Sequence, residues 1–116
     1  MAVDGFYRFV YAGRTGSGLG LLALHDGKIT GVDGGGGEYE GHYHADAASG
    51  GLVVHVEILV PPNVPLVIGA AARAEPWTLH IDATLPRNFA GAIPVSVPTP
   101  FGPISVSFKL LRNFQR

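Results

Sequence analysis

The chain has 116 residues, of which 47% are hydrophobic and 15% are charged, and its formal net charge is −1. A chain of this length forms one domain and buries roughly two thirds of its unfolded surface. The high apolar content argues against a disordered chain. The eight basic residues are scattered along the sequence. Without a basic cluster that displaces counterions from phosphates, we expect no direct binding to nucleic acid.

Cysteine is absent from the sequence, which excludes disulfide bonds and thiolate sites and fits a reducing compartment. The segment Met1–Gly5 does not combine basic residues with a long apolar stretch, so we expect no signal peptide. No apolar run approaches the roughly 18 residues that a membrane-spanning helix needs. We therefore predict a soluble cytoplasmic protein that has no membrane partner.

Eight segments alternate between apolar and more polar residues with the period of two that is typical of β-strands. In chain order they are Gly5–Ala12, Gly18–His25, Lys28–Asp33, Glu38–His44, Leu52–Val60, Trp77–Leu85, Ala92–Val97 and Ile104–Leu111. The alternation is clearest in the sixth segment, where Trp77, Leu79 and Ile81 share one face. A single apolar face on each strand indicates an antiparallel sheet, because parallel strands are buried on both faces.

Turn-forming residues separate these segments. Asp26-Gly27 lies between the second and third segments and predicts a two-residue hairpin turn, because glycine tolerates a positive φ. The proline-rich stretch 98–103 predicts a second hairpin, and Pro94 predicts a bulge or an irregular end in the seventh strand. A helix is expected only within Leu66–Glu75, where Gly69 limits it to one or two turns.

Eight short antiparallel strands with at most one short helix favour a closed barrel. A flat sheet of this size would expose two edges that invite aggregation, and closure removes them. We predict one all-β domain, residues 1–116, in which Trp77, Leu79 and Ile81 point inward. The interior of an eight-stranded barrel holds packed side chains or one small ligand.

Two glycine-rich stretches are interpreted as backbone features. The run Gly16–Gly20 has Leu21 where a dinucleotide-binding motif needs glycine, so we interpret it as a turn and a bent strand. The run Gly34–Gly37 is interpreted as a mobile loop and not as a phosphate cradle. The serines lack the Gly-x-Ser-x-Gly pattern of an activated nucleophile. We therefore expect no enzymatic activity, no catalytic residues and no cofactor.

The histidines are better candidates for a functional site. His42 and His44 share one face of the fourth segment, and His55 and His80 lie on the polar faces of the fifth and sixth. With nearby carboxylates they could bind zinc or another divalent ion. The alternative is a solvated face whose charges pair across strands. For that alternative we predict the register in which His42 faces Glu57, because opposite charges then meet.

Aromatic side chains recur on two strands with a period of two. Tyr7, Phe9 and Tyr11 share one face of the first segment, and Tyr39 and Tyr43 share one face of the fourth. If these faces line the barrel, the rings either fill the core or border a ligand cavity. Both interpretations remain open from the sequence.

Four motifs in the first part of the chain occur in a defined order. They are Asp4-Gly5-x-Tyr7, Gly18-x-Gly20, Asp26-Gly27-x-Ile29-x-Gly31-x-Asp33 and Tyr39-x-Gly41-x-Tyr43. Together they resemble the opening half of the GrlR-like family, negative regulators of type III secretion, over about the first third of the chain. The resemblance implies a lipocalin-like eight-stranded barrel that forms a homodimer.

The same resemblance implies a function that is not enzymatic. It implies a protein that grips a helix-turn-helix transcription activator and keeps it from DNA. In the best-known member an acidic loop after the Tyr-x-Gly strand matters for partner binding, whereas here the loop 45–51 carries Asp46 as its only acid. Our first hypothesis is a regulatory or binding protein that acts by protein–protein interaction. The alternatives are a lipocalin-like binder of a small apolar ligand and a histidine-based metal site.

Overall fold

The protein is all-β in this computed structural model, which describes residues 3–91 and 93–114. The eight strands are β1 (Gly5–Gly13), β2 (Gly16–His25), β3 (Lys28–Asp33), β4 (Glu38–Ala45), β5 (Leu52–Val60), β6 (Trp77–Leu85), β7 (Val95–Val97) and β8 (Ile104–Asn113). Within the described residues there is no helix, and hence none with the length and apolarity to cross a membrane.

All strand pairs are antiparallel, in the order β6-β5-β4-β3-β2-β1-β8-β7. The first strand therefore pairs with the last, and the sheet curls into a nearly closed barrel. This confirms the predicted eight-stranded barrel. The edge strands are β6 and β7, and the seam between them has no strand ladder in the described part of the chain.

Alternation places the apolar face of each strand inside the barrel. On β5, Leu52 and Val60 are 2% and 1% exposed, while the neighbouring Glu57 lies on the outer face and is exposed. On β6, Leu79 is buried and Ile81 packs against the core, as predicted. Removing this apolar surface from water is the main force that closes the sheet.

Glycines on β2 make room for aromatic rings on β1. Gly18 lies opposite Tyr11 and Gly20 lies opposite Phe9 in the strand ladder. A Cβ atom at either glycine would overlap the ring of its partner. The rings therefore lie across β2 inside the barrel, which accounts for the glycine-rich sequence without a nucleotide site.

The predicted turns are present. Asp26 and Gly27 have φ values of 49° and 78°, as a primed two-residue turn between β2 and β3 requires. At the second hairpin, Val97 pairs with Ile104. Strand β7 begins immediately after Pro94, which fits the predicted irregular end. Ala92, where we had expected the seventh strand to start, lies outside the described residues.

Residues 61–76, which we call the lid, connect β5 to β6 without regular structure. The segment in which a short helix was expected folds instead into a turn where the Leu66 amide donates to the Ala70 carbonyl over 2.9 Å. Gly69 has a φ of 101°, which interrupts any helix. The Thr15 amide donates to the Val67 carbonyl over 3.0 Å, so the lid is attached to the β1–β2 turn.

Candidate ligand cavity

The barrel contains a partly open cavity of about 360 Å³. This volume falls in the range of about 300–1,000 Å³ that is common for small-molecule sites. The wall is largely apolar, with Leu22, Val54, Ile81 and Val106 among its residues. Inward-facing positions of most strands build it, and lid side chains such as Ile68 complete one end.

The predicted aromatic residues divide between the cavity and the core beyond it. Tyr7, Phe9, Tyr11 and Tyr39 border the cavity, whereas Tyr43 is buried without bordering it. The rings therefore fill part of the barrel and leave space beside them. Both interpretations of these aromatic faces apply, to different residues of the same set.

One acidic side chain points into the lid end of the cavity. Asp33 is the last residue of β3 and shares the inward face with Ile29. Its Oδ1 atom accepts hydrogen bonds from the amides of Gly35 and Gly37 over 3.0 and 2.9 Å. Its Oδ2 atom accepts a hydrogen bond from the Tyr39 hydroxyl over 2.7 Å.

Asp33 also organises the glycine loop that follows β3. Two amides of Gly34–Gly37 are directed at this carboxylate, so they are not presented to a phosphate. We did not single out Asp33 from the sequence as a site residue. The signal was present, because the period of two places residue 33 on the same face as the buried Ile29.

Two tyrosines beside Asp33 stay neutral over the ordinary pH range. Burial raises the pKa of Tyr39, and the hydrogen bond and negative charge of Asp33 raise it further. Burial and the Asp33 carboxylate also raise the pKa of Tyr11. Their hydroxyl groups are therefore protonated, and they act as hydrogen-bond donors that keep acceptor lone pairs.

A second acidic group closes the opposite end of the barrel. Asp4, only 6% exposed, accepts hydrogen bonds from the Tyr43 hydroxyl and, over 3.2 Å, from the Asp26 amide. The hydrogen bond from Tyr43 lowers the pKa of Asp4. Burial, together with the bond to Asp4, raises the pKa of Tyr43 to about 12.

The four histidines considered as metal ligands lie on the outside of the barrel. The rings of His42 and His55 have their centroids 5.0 Å apart, and those of His44 and His55 are 6.4 Å apart. His55 Nδ1 lies 2.6 Å from Asp82 Oδ1, whereas His80 Nδ1 lies 3.8 Å from an oxygen of Glu57. The structure thus places the histidine-bearing face in solvent.

The predicted register between β4 and β5 is wrong. Glu40 faces Glu57, and His42 faces His55. The turn after β4 sets this register, because the Asp46 amide donates to the Gly51 carbonyl over 3.0 Å and extends the ladder. Glu57 of β5, which we had expected to face His42 of β4, faces His80 of β6 instead.

Three potential metal ligands do approach one another elsewhere. In the part of the chain that the structure describes, this occurs at Asp4, His25 and Asp26, whose ligand atoms lie within 4.8 Å of one another. The four histidines named from the sequence do not form such a group among the described residues. Asp4 is buried and accepts hydrogen bonds from Tyr43 and from the Asp26 amide, whereas His25 and Asp26 are exposed at this end of the barrel.

These features define a class of protein: a nearly closed all-β barrel with an apolar interior cavity and an acidic group at one end of it. Comparison of the chain with protein-family models, with curated proteins and with solved structures found no match. The resemblance to the GrlR-like family therefore stays a prediction from the sequence.

Proposed function

We propose that this protein is a lipocalin-like binder of a small apolar ligand, which it holds in the barrel cavity. The observation that carries the proposal is a largely apolar, partly open space of about 360 Å³ inside the barrel. Each methylene group that moves from water into such a space contributes about 0.8 kcal/mol. The proposed role is binding without chemical conversion and without a cofactor, in the cytoplasm.

We expect a ligand to enter the cavity through one of two regions of the wall. Among residues 3–91 and 93–114, the lid and the seam between β6 and β7 lack a continuous strand ladder. Hydrogen bonds between Thr15 and Val67 hold the lid to the β1–β2 turn. Moving the lid aside would break these hydrogen bonds and expose the buried Ile68 and Ala70, but it would leave the sheet intact.

A cavity-filling substitution tests this function. Ala83 faces the cavity from β6, and the neighbouring Thr84 is exposed on the outer face. We expect N-phenyl-1-naphthylamine, a neutral apolar fluorophore, to bind the wild-type protein with one-to-one stoichiometry. Ala83→Trp should weaken this binding at least about tenfold because the indole occupies the ligand space.

Thr84→Trp is the matched control, since it adds the same side chain outside the barrel, and it should bind the fluorophore like the wild type. Val54→Phe provides a second filled cavity in case Ala83→Trp does not fold, which circular dichroism checks. A wild-type protein that does not bind the probe, or folded filled variants that bind it equally well, would contradict the proposal.

A second candidate function is supported by the outer surface of β1, β2 and β3. Val10, Leu19, Leu21 and Val32 are between 43% and 52% exposed. The ladder pairs Val10 with Leu19 and Leu21 with Val32, so these four side chains form one patch, which we call the outer apolar face. Contiguous apolar patches on soluble proteins mark interaction sites.

We propose that a second copy of the chain covers the outer apolar face, which gives the homodimer that the family resemblance implies. The further role in that hypothesis, negative regulation of a transcription activator through protein–protein contact, rests on the resemblance. The loop acid Asp46 is engaged within its own turn, where it accepts a hydrogen bond from Ser49 over 2.6 Å.

Charge placed on the outer apolar face tests the homodimer. We expect sedimentation equilibrium to give a dimer for the wild-type protein and a monomer for the double substitution Leu21→Glu and Val32→Glu. Thr30→Glu combined with Thr84→Glu adds the same charge on the outer faces of β3 and β6, outside the four apolar residues, and should leave the dimer intact. A wild-type protein that stays monomeric at millimolar concentration would remove the basis of this proposal.

A further inference from the structure

The cavity wall carries a negative charge and, in the part of the chain that the structure describes, no positive charge. Among the described residues that border the cavity, Asp33 is the one side chain with a formal charge, and none is Lys, Arg or His. The remaining polar side chains of the wall are those of Ser17, Tyr7, Tyr11 and Tyr39. A ligand inside the barrel therefore experiences a negative potential at the Asp33 end and an apolar environment elsewhere.

Three aromatic rings lie together next to the acidic end. The centroid of the Phe9 ring lies 5.3 Å from that of Tyr39 and 5.8 Å from that of Tyr11. The faces of such rings carry negative partial charge and attract cations. The Tyr39 hydroxyl donates its proton to Asp33, so its oxygen offers lone pairs to a hydrogen-bond donor.

These features select against anionic ligands. A carboxylate in this cavity would lose its hydration, gain no basic partner and lie near the charge of Asp33. An ammonium group has the opposite properties, because a carboxylate and hydroxyl oxygens both stabilise it. A neutral alcohol can donate one hydrogen bond there but gains no charge attraction.

We infer that the ligand is an apolar amine, whose ammonium group lies beside Asp33, Tyr11 and Tyr39 and whose hydrocarbon part fills the apolar cavity. This inference rests on the proposed function, because it names the chemical class of the ligand for the same cavity. The raised pKa values of Tyr11 and Tyr39 agree with it, since both phenols stay neutral and add no charge beside Asp33.

Three ligands that share one alkyl chain separate the head group from the tail. We expect octylamine, 1-octanol and octanoate to displace N-phenyl-1-naphthylamine from the wild-type protein at neutral pH in that order of affinity. Octylamine should bind at least about tenfold more tightly than octanoate, because it pairs with the partly buried Asp33 carboxylate whereas octanoate meets a like charge.

Asp33→Asn tests the role of the carboxylate directly. The amide keeps an oxygen that can accept from the loop amides but removes the charge. We expect it to reduce octylamine affinity about tenfold and to change 1-octanol affinity less than about twofold. Asp82→Asn, an exposed acid on the outside of β6, is the matched control and should alter neither value.

The outcomes distinguish the inference from the function on which it rests. If neither the fluorophore nor any of the three ligands binds, the proposed function fails. If 1-octanol binds but octanoate binds as tightly as octylamine, ligand binding stands and the amine inference is overturned. An Asp33→Asn protein that binds 1-octanol normally and keeps the full preference for octylamine overturns it as well.

Discussion

Replacing Asp4 with alanine should lower the free energy of unfolding by about 3 kcal/mol. The substitution leaves the buried Tyr43 hydroxyl and the Asp26 amide without the acceptor that they share in the folded protein. Leaving the buried Tyr43 hydroxyl unsatisfied costs about 1–3 kcal/mol, and losing the part-buried bond from the Asp26 amide adds to this cost. Urea denaturation with an unchanged m-value measures the loss.

Asp82→Ala provides the control for an exposed acid. Asp82 contacts His55 on the outer surface, and surface ion pairs of this kind contribute about 0–1 kcal/mol. A loss below about 1 kcal/mol for Asp4→Ala, equal to that of the control, would show that the closed end does not hold the barrel together.

The same contact makes stability depend on pH in a defined direction. The pKa of Asp4 is lowered below 3.8 in the folded protein by the hydrogen bond from Tyr43. The folded state therefore binds this proton more weakly than the unfolded state. The contribution is present above pH 3.8 and is lost as the pH falls through the lowered pKa. Urea midpoints measured across this range should show a component that Asp4→Ala lacks.

Tyr43 makes the stability of the protein depend on pH in the alkaline range as well. Its pKa is raised from 10.0 to about 12, mainly by burial. This contribution to stability is fully present below pH 10 and is lost as the pH rises toward 12. Tyr43→Phe has no phenol to titrate and should lack this alkaline component.

Gly41→Ala should destabilise the barrel by about 3 kcal/mol, the upper end for an overpacked core. Gly41 lies on β4 opposite Val56, and an added Cβ would overlap the backbone carbonyl of His55 and approach the Val56 Cα to 2.9 Å. Backbone atoms of a paired strand cannot move aside as the end of a flexible side chain can. Thermal and urea unfolding measure the effect.

Gly34→Ala is the matched control, because it makes the same chemical change in the loop after β3. An added Cβ there lies 3.5 Å from the Leu19 carbonyl, an ordinary van der Waals contact. We expect a change within about 0.5 kcal/mol. Equal effects of the two substitutions would show that Gly41 is not required for the close approach of β4 and β5.

Strand positions could be predicted where alternation and turn residues agree. Lys28–Asp33, Leu52–Val60 and Trp77–Leu85 have the predicted bounds, because Asp26-Gly27, the lid and the flanking prolines delimit them. The register of β4 against β5 could not be predicted in the same way. A shift of two residues keeps every side chain on its face of the sheet. The choice between the two registers of β4 and β5 therefore depends on the turn geometry and on the pairing of β5 with β6.

The candidate site was predictable in its residue types and not in its shape. Alternation placed Tyr7, Phe9 and Tyr11 on one face of their strand and Tyr39 with Tyr43 on one face of theirs, and four of these residues border the cavity. The empty volume depends on how far each ring lies across the glycines of β2, which no sequence pattern specifies. The lid has no period at all, so its position over the barrel end depends on tertiary contacts such as that between Thr15 and Val67.

The claim that the barrel interior holds an apolar ligand is tested most directly by finding where a bound alkyl chain lies. We propose nuclear Overhauser measurements between 1-octanol and the methyl groups of the protein. The account predicts contacts to methyl groups of Val54, Ile81 and Val106, which border the cavity. Contacts confined to Val10 and Val32 on the outer apolar face would contradict it.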